Sequence, residues 1–268
     1  DMKPKIFDCI TFFNENFITN LRFEILNEAV DYFVVCESKY DHKNNKKSLN
    51  FRLLNEKFKS KVIYLVLEDK FISTDPWKNQ AKQREFLFEG LKIANKDDLI
   101  MFSDPDEIPR PESLINFKIS SKYGIFLQDC FCYKFNIFNK YETPWEGTRI
   151  CKFKDLKSFD YMRQNIKAKN LKKPLWKFYV EKDICLIQNG GWHFNSLMDA
   201  KEISLKLKTF AHENFAGDEY SNIDVIKKNI LEKKDLFKRN NLYETIKLDK
   251  SFPKYIIENK IKLNEWID

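Results

Sequence analysis

Residues 97–109 read DDLIMFSDPDEIP, and this stretch decides the fold. Leu99–Ser103 are five apolar or small residues in a row, and the chain then delivers Asp104, Asp106 and Glu107 before Ile108-Pro109. An apolar run without polar alternation marks a strand covered on both faces, the habit of parallel sheets. Toward the N-terminus the pattern recurs in KIFDCITFF (5–13), DYFVVCES (31–38) and VIYLVLED (62–69), each apolar run ending in polar or acidic residues. Helical spacing separates the runs at 17–29 and again from Trp77 to Leu91, while YDHKNNKKSLN (40–50) reads as a polar loop. Strands alternating with helices predict an α/β architecture with a parallel sheet and right-handed crossovers.

Toward the C-terminus the pattern changes. Residues 123–138 and 147–153 read as strands without long helices between them, and so does 175–188, with Ile184–Gln188 as its clearest core. These predict an antiparallel or mixed extension of the sheet. The stretch from about 199 to 245 is helical and lysine-rich. With no internal repeat and no linker rich in Gly, Pro or Ser, one domain over 1–268 is expected.

Composition narrows the function classes. A hydrophobic share of 43% excludes a disordered chain, and Gly 6 against Phe 25 excludes collagen and flexible low-complexity scaffolds. The formal net charge is +7, but only seven of the 47 basic residues are Arg. Readers of nucleic acid lean on Arg for bidentate and stacked contacts, so no nucleic-acid partner is expected. A polyanionic substrate or a weakly anionic membrane surface stays open. The six cysteines form no CxxC pair, which argues against a zinc site and for free thiols in a reducing compartment. No window reaches the ~18 apolar residues of a membrane span, so no transmembrane segment is expected. The opening DMKPKIFDCITFF lacks signal-peptide architecture and the chain holds no N-x-[ST] sequon. The expected location is therefore cytoplasmic, with peripheral membrane contact left open.

In an open α/β sheet, ligands bind beyond the carboxyl ends of the strands. Those ends carry Phe13-Asn14-Glu15, Glu37-Ser38, Glu68-Asp69 and the acidic turn. Three carboxylates crowded together repel unless a cation neutralises them, and oxygen ligands suit Mg²⁺ or Mn²⁺. The competing reading is an exposed acidic turn that caps the next helix near Glu112 and Ser113. A second constellation is Gly190-Gly191-Trp192-His193-Phe194-Asn195, where two glycines permit close backbone approach beside a histidine. His193 serves there either as a metal ligand or as a hydrogen-bonded structural residue. A third group, Asn79, Gln83 and Arg84, shares one helix and is placed to face a diphosphate, unless it is ordinary surface polarity.

Taken together, VVCES, DPDEIP (104–109) and GWH (191–193) resemble the motifs of glycosyltransferase family 17, with Gly217-Asp218 resembling a later loop. The likeness spans roughly residues 5–235. It implies a GT-A-type nucleotide-sugar-binding fold with a mixed, mainly parallel central sheet and C-terminal helices. A nucleotide-binding half would occupy 5–120, a mixed-strand acceptor half 121–200, and a helical extension 201–268. It further implies inverting, metal-dependent transfer of a sugar, N-acetylglucosamine first, from a UDP-sugar to a hydroxyl of a glycan or lipid-linked oligosaccharide acceptor. Asp106 would contact Mn²⁺ or Mg²⁺, and Asp104 would contact metal or ribose. His193 would complete the metal site and favour Mn²⁺, because borderline cations accept nitrogen. Phe13, Asn14, Glu15 and Glu37 would frame the nucleotide, with Asn79, Gln83 and Arg84 approaching it. A carboxylate must take the acceptor's proton; Asp218 ranks first, before Glu146 and Glu219. No stretch resembles the anchor and stem of eukaryotic Golgi members, so a bacterial or viral setting is expected. The rival readings are a nucleotidyl- or phosphotransferase on the same acidic site, and a non-catalytic basic module that binds glycans or polyanions.

Overall fold

The computed structural model describes residues 3–209 and 217–268, the side chain of Asp218 excepted. Four parallel strands build the first half of the sheet: β1 (Ile6–Phe12), β2 (Tyr32–Ser38), β3 (Val62–Leu67) and β4 (Leu99–Ser103), in spatial order β3-β2-β1-β4. Helix α1 (Asn16–Leu26) crosses from β1 to β2, and α2 (Pro76–Glu85) lies between β3 and β4. Beyond α2 the chain tightens into a 3-10 turn over Phe86–Leu91 instead of continuing the single helix the spacing predicts. The DPDEIP turn does not end as loop either. Glu107–Pro109 form a short strand, β5, followed by α3 (Pro111–Leu114).

The second half is mixed, as expected. Strand β6 (Tyr123–Cys132) is followed by β7 (Ile137–Phe138), β8 (Trp145–Lys152), α4 (Phe159–Gln164), β9 (Ile184–Ile187) and β10 (Gly191–Asn195). Then come α5 (Ala200–Thr209), α6 (Asp218–Ser221), α7 (Ile223–Leu231), β11 (Glu244–Thr245) and α8 (Lys254–Glu258). Antiparallel β8 joins β4 to β6, so the parallel half continues into the mixed half. The strand predicted over 175–188 is confined to β9; residues 175–182 lie outside regular strand. Among the described residues no helix is long and apolar enough to cross a membrane.

Strand β6 changes partners along its length. On one edge it pairs antiparallel with β8 as far as Gln128, through a register shift between Ile125 and Leu127; on the other, parallel β9 along Tyr123–Phe126 gives way to parallel β10 along Asp129–Cys132. β10 in turn pairs antiparallel with β5, setting Trp192 opposite Ile108 and His193 opposite Glu107. The two glycines make that close approach. A Cβ on Gly191, whose φ is +130°, would meet the Ile108 carbonyl at 2.1 Å, and one on Gly190 would meet the Leu127 backbone at 2.8 Å. They serve strand packing.

Alternation along β1 sends Phe7 and Cys9 into one apolar cluster and Ile6, Ile10 and Phe12 into the other. Asp8 interrupts the second set, and α1 answers it with Arg22. The fully buried guanidinium donates to both Asp8 oxygens at 2.7 Å, to Ser103 Oγ at 2.9 Å and to the Glu107 carbonyl at 2.5 Å. Removing one partner of a buried ion pair strands the other, at about 3–5 kcal/mol. Asp8→Ala is therefore expected to lose about that much unfolding free energy, read by urea denaturation. Asp8→Leu combined with Arg22→Met should cost less than the two single losses summed, because the pair acts as a unit.

Candidate active site

The acidic turn opens onto a cavity of about 610 Å³. Its wall on the parallel side comes from the ends of β1 and β2 and the loop after β2, including Phe13, Glu15, Ser38, Tyr40 and His42. Asp104, Asp106, Glu107 and His193 line its middle. Tyr133, Glu142, Trp145, Phe237 and Arg239 line the far side. Tyr133 and Ser196, at the ends of β6 and β10, both line the cavity and both hold φ in the left-handed region, at 69° and 55°. Such conformations are costly for non-glycine residues and persist where surrounding packing fixes them.

The crowding of three carboxylates is relieved mainly by the protein itself. Arg163 of α4 donates to Asp104 Oδ2 at 2.7 Å and to the two Glu107 oxygens at 2.8 and 3.0 Å. Trp145 Nε1 donates to Glu107 Oε1 at 2.7 Å, and the Asp104 amide to Glu107 Oε2 at 3.1 Å. Burial pushes the Glu107 carboxyl up, but the Arg163 guanidinium and His193 outweigh it and hold the group below the usual range. Asp106 is the member that Arg163 does not bind. Its Oδ1 lies 3.6 Å from His193 Nε2 and its Oδ2 3.9 Å from Lys206 Nζ. Burial raises Asp106, and His193 and Lys206 bring it down again below the ordinary value. Burial lowers His193, and Asp106 more than offsets this, so the imidazole holds its proton more tightly than usual. The ring stacks on Trp145 with centroids 4.7 Å apart, and Nδ1 lies 3.7 Å from Cys130 Sγ.

These donors fit a divalent cation as a partial seat. Among the described residues no three His, Cys, Asp or Glu side chains converge as a complete cage. Asp106 and His193 nevertheless present one carboxylate and one imidazole side by side at the cavity wall. Mg²⁺ and Mn²⁺ are held by one or two protein ligands plus substrate phosphates and water. Asp104 fits less well, since one of its oxygens is taken by Arg163.

Several expected contacts are corrected. Glu37 is fully buried and does not line the cavity: it accepts from Lys47 Nζ at 2.6 Å, from the Asn50 and Phe51 amides and from Tyr64 Oη, pinning the loop after β2. Asn79 donates to the His42 and Ser73 carbonyls. Gln83 reaches the cavity, but its amide holds His42 Nε2 at 2.7 Å and donates to the Phe12 and Cys36 carbonyls. Arg84 turns to Asp160 at 2.8 Å and lies over the Phe102 ring, away from the cavity. Asn14 is not in the cavity wall, whereas Phe13 and Glu15 are. Glu146 faces Arg149 at 3.5 Å and accepts from the Ala168 amide at 3.1 Å, again outside the wall. Glu219 pairs with Lys238 at 2.5 Å. Asp218 heads α6, and its side chain lies outside the described residues, as does all of His212.

Sequence reasoning missed Arg163, Trp145, Lys206 and Glu142. The scarcity of arginine was the available signal: in a chain that decorates its surface with lysine, a fork-shaped guanidinium is kept for buried carboxylates.

A profile described as Glycosyltransferase family 17 matches residues 1–246. Curated proteins of Rattus norvegicus and Homo sapiens, each named Beta-1,4-mannosyl-glycoprotein 4-beta-N-acetylglucosaminyltransferase, are 31% identical over 131 residues, covering 44% of this chain and 24% of each relative. The match thus spans about a quarter of those relatives' length. Among solved structures, glucosyl-3-phosphoglycerate synthase from Mycobacterium tuberculosis with Mn²⁺, UDP and phosphoglyceric acid is 10% identical at a TM-score of 0.39, covering 95% of this chain and 91% of that one. A glycosyltransferase involved in glycosylation of the major capsid of PBCV-1 is 9% identical at a TM-score of 0.34, covering 69% and 82%.

Glu107 gives a pH test. Its folded-state pKa is depressed, so its stabilisation is complete above the unfolded glutamate range, near ~4.3, and is lost as pH falls through the lower folded value. Glu107→Gln should cost about 3 kcal/mol at neutral pH. In urea denaturation over a pH series, the gap from wild type should close only in that acidic window.

Proposed function

The chain belongs to glycosyltransferase family 17, and on that footing we propose that it transfers a sugar from a UDP-sugar to a hydroxyl of a glycan acceptor with inversion. The observation that carries this reading is the Asp106–His193 pair, joined through β5 and β10 at the middle of a cavity with two unlike halves. The parallel-strand half takes the nucleoside, against Phe13, Tyr40 and His42. The diphosphate lies at Asp106 and His193, with the Lys206 ammonium offsetting its charge. The sugar, N-acetylglucosamine as first choice, reaches toward Trp145. The far half takes the acceptor against Tyr133 and Phe237, with N-glycan-type and lipid-linked oligosaccharides both suited to an aromatic floor.

Asp106 and His193 would hold Mn²⁺ or Mg²⁺, which when bound stabilises the negative charge growing on the departing diphosphate. Trp145 stacking and the Cys130 thiol fix the ring so that Nε2 faces Asp106. Arg163 and Arg22 hold the acidic turn in place from its two sides. In the transfer, the acceptor oxygen bonds to the anomeric carbon as the bond from that carbon to the diphosphate breaks, its electron pair leaving with UDP. The acceptor's proton passes to a carboxylate on the opposite side of the sugar. Glu142 suits that role: it lines the far half, lies 3.8 Å from Cys130 Sγ and so one thiol away from His193, and is oriented by Asn139 and Arg239 at 3.0 Å each. Asp235, the other carboxylate there, is saturated by Arg239, Tyr243 Oη and two backbone amides.

A screen of UDP-, GDP- and CMP-sugars tests the donor, and turnover of UDP-sugars alone is the expected result. Asp106→Ala should lower turnover about a hundredfold, roughly 3 kcal/mol of lost charge stabilisation, with the melting temperature little changed. His193→Ala should narrow the Mn²⁺/Mg²⁺ activity ratio; an unchanged ratio with a lowered melting temperature assigns His193 to structure alone. Full activity in excess EDTA would overturn the metal.

Removal of a general base lowers kcat by about 10²–10⁴-fold. Glu142→Gln should therefore do so for glycosyl transfer while leaving the donor KM close to wild type. A loss confined to acceptor KM would make Glu142 a binding residue instead.

A further inference from the structure

Between α4 and β9 the chain runs through KAKNLKKPLWKFYVEK (167–182), a 3-10 turn over Ala168–Lys172 and then a loop whose large apolar side chains are exposed. Leu175 is 81% exposed, Trp176 72%, Phe178 90% and Tyr179 80%. Many of the other aromatic rings pack against one another in the core, as Phe23 does on Phe33 and Phe58. Exposing so much contiguous apolar surface is unusual in a protein that meets only water, and marks an interaction site. The loop is a built element rather than a stray segment. Lys182 Nζ donates to the Pro174 carbonyl at 2.7 Å, the Lys177 and Val180 amides close successive turns at 3.1 Å each, and Asn170 Nδ2 donates to the Asn165 carbonyl at 2.7 Å.

Charge identifies the occupant. The stretch carries six lysines against one acid, Glu181, and Glu181 is paired with Lys122 at 3.2 Å. Among the described residues no carboxylate forms an ion pair with Lys169, Lys172, Lys173 or Lys177, which interleave with the exposed apolar side chains. We propose that this loop docks on an anionic phospholipid surface. Trp and Tyr present an apolar body and a polar edge, which suits the headgroup level of a bilayer. Leu175 and Phe178 supply purely apolar area to the acyl boundary, and lysine stems extend along it with their ammonium groups toward lipid phosphate. A second copy of the chain is the wrong occupant, because two lysine-rich faces repel. A neutral glycan is also a poorer match, because Leu175 and Phe178 offer sugar hydroxyls no hydrogen bond. At its root the loop touches the strand that supplies Trp145: the Ala168 amide donates to Glu146, and Arg163 of the acidic site lies four residues before Lys167.

The test is co-sedimentation of the full chain with vesicles of phosphatidylcholine alone and of phosphatidylcholine with phosphatidylserine, without donor or metal, so that its result is separate from the transfer reaction. Wild type should partition at least about tenfold more strongly onto the anionic vesicles, and less so as salt is raised. Trp176→Ser/Phe178→Ser/Tyr179→Ser should lower that partition about tenfold or more. Lys172→Glu/Lys173→Glu/Lys177→Glu should lower it on the order of a hundredfold, at about fivefold per lysine removed. Both variants should keep the wild-type melting temperature, since Lys172, Trp176, Phe178 and Tyr179 are exposed and Lys173 and Lys177, half-buried, pair with no carboxylate among the described residues. If either triple variant is unstable, Phe178→Ser and Lys177→Glu alone should each give a smaller loss of the same kind. Equal partition onto the two vesicle types would overturn the proposal, as would binding that the variants leave unchanged. A concentration-dependent dimer that the aromatic variant abolishes would assign the loop to self-association, and a loss of soluble-glycan binding with vesicle binding intact would assign it to a sugar.

Discussion

The buried Arg22 guanidinium is the constraint on which the rest of the site depends. It joins α1 to β1 through Asp8, and the same fork reaches Ser103 Oγ and the Glu107 carbonyl at the back of the acidic turn. A cation wholly removed from water is tolerable only when its donors are satisfied, so the arrangement of α1, β1 and the turn is fixed together. The acidic turn is therefore a braced part of the sheet end rather than a loose loop. Arg163 of α4 braces it through the side chains of Asp104 and Glu107.

This two-sided bracing explains how three carboxylates coexist. Two of them are neutralised by arginine from within the protein, which leaves Asp106 beside His193 and Lys206 at the cavity wall. The division of labour between the basic residues follows from their shapes. Arg22 and Arg149 are buried, and Arg163 is nearly so, where planar forks meet several acceptors at once. The lysines cover the outside, and in the 167–182 loop they accompany exposed aromatic residues instead of surrounding a charge partner.

The partner change along β6 carries the second half of the argument. Where β6 passes from parallel β9 to parallel β10, β5 pairs with β10 in turn and brings residues 107 and 193 side by side. The glycines of β10 are needed for that contact because any side chain at Gly191 would collide with the Ile108 carbonyl. A motif that reads as a ligand loop is thus first a packing motif, and His193 reaches the cavity because the packing places it there.

The sequence by itself determined the parallel strands, the mixed extension, the acidic turn and the prominence of His193. Those features rest on local runs, in which an apolar stretch followed by crowded carboxylates is visible within a dozen residues. It did not determine which charges meet. Glu37, Asn79 and Arg84 read as ligand-facing polar residues and proved to hold loops and helices together, while Arg163, Lys206 and Glu142 drew no attention and line or brace the cavity. The stretch 175–182 read as strand from its apolar content, yet only the fold shows that it lies outside regular strand and turns Leu175, Trp176, Phe178 and Tyr179 to water. The physical reason is common to all of these. Secondary structure follows from periodicity within a segment, whereas the partner of a charge or an aromatic ring is set by the register of strands and helices far apart in the chain, and that register exists only once the sheet has formed.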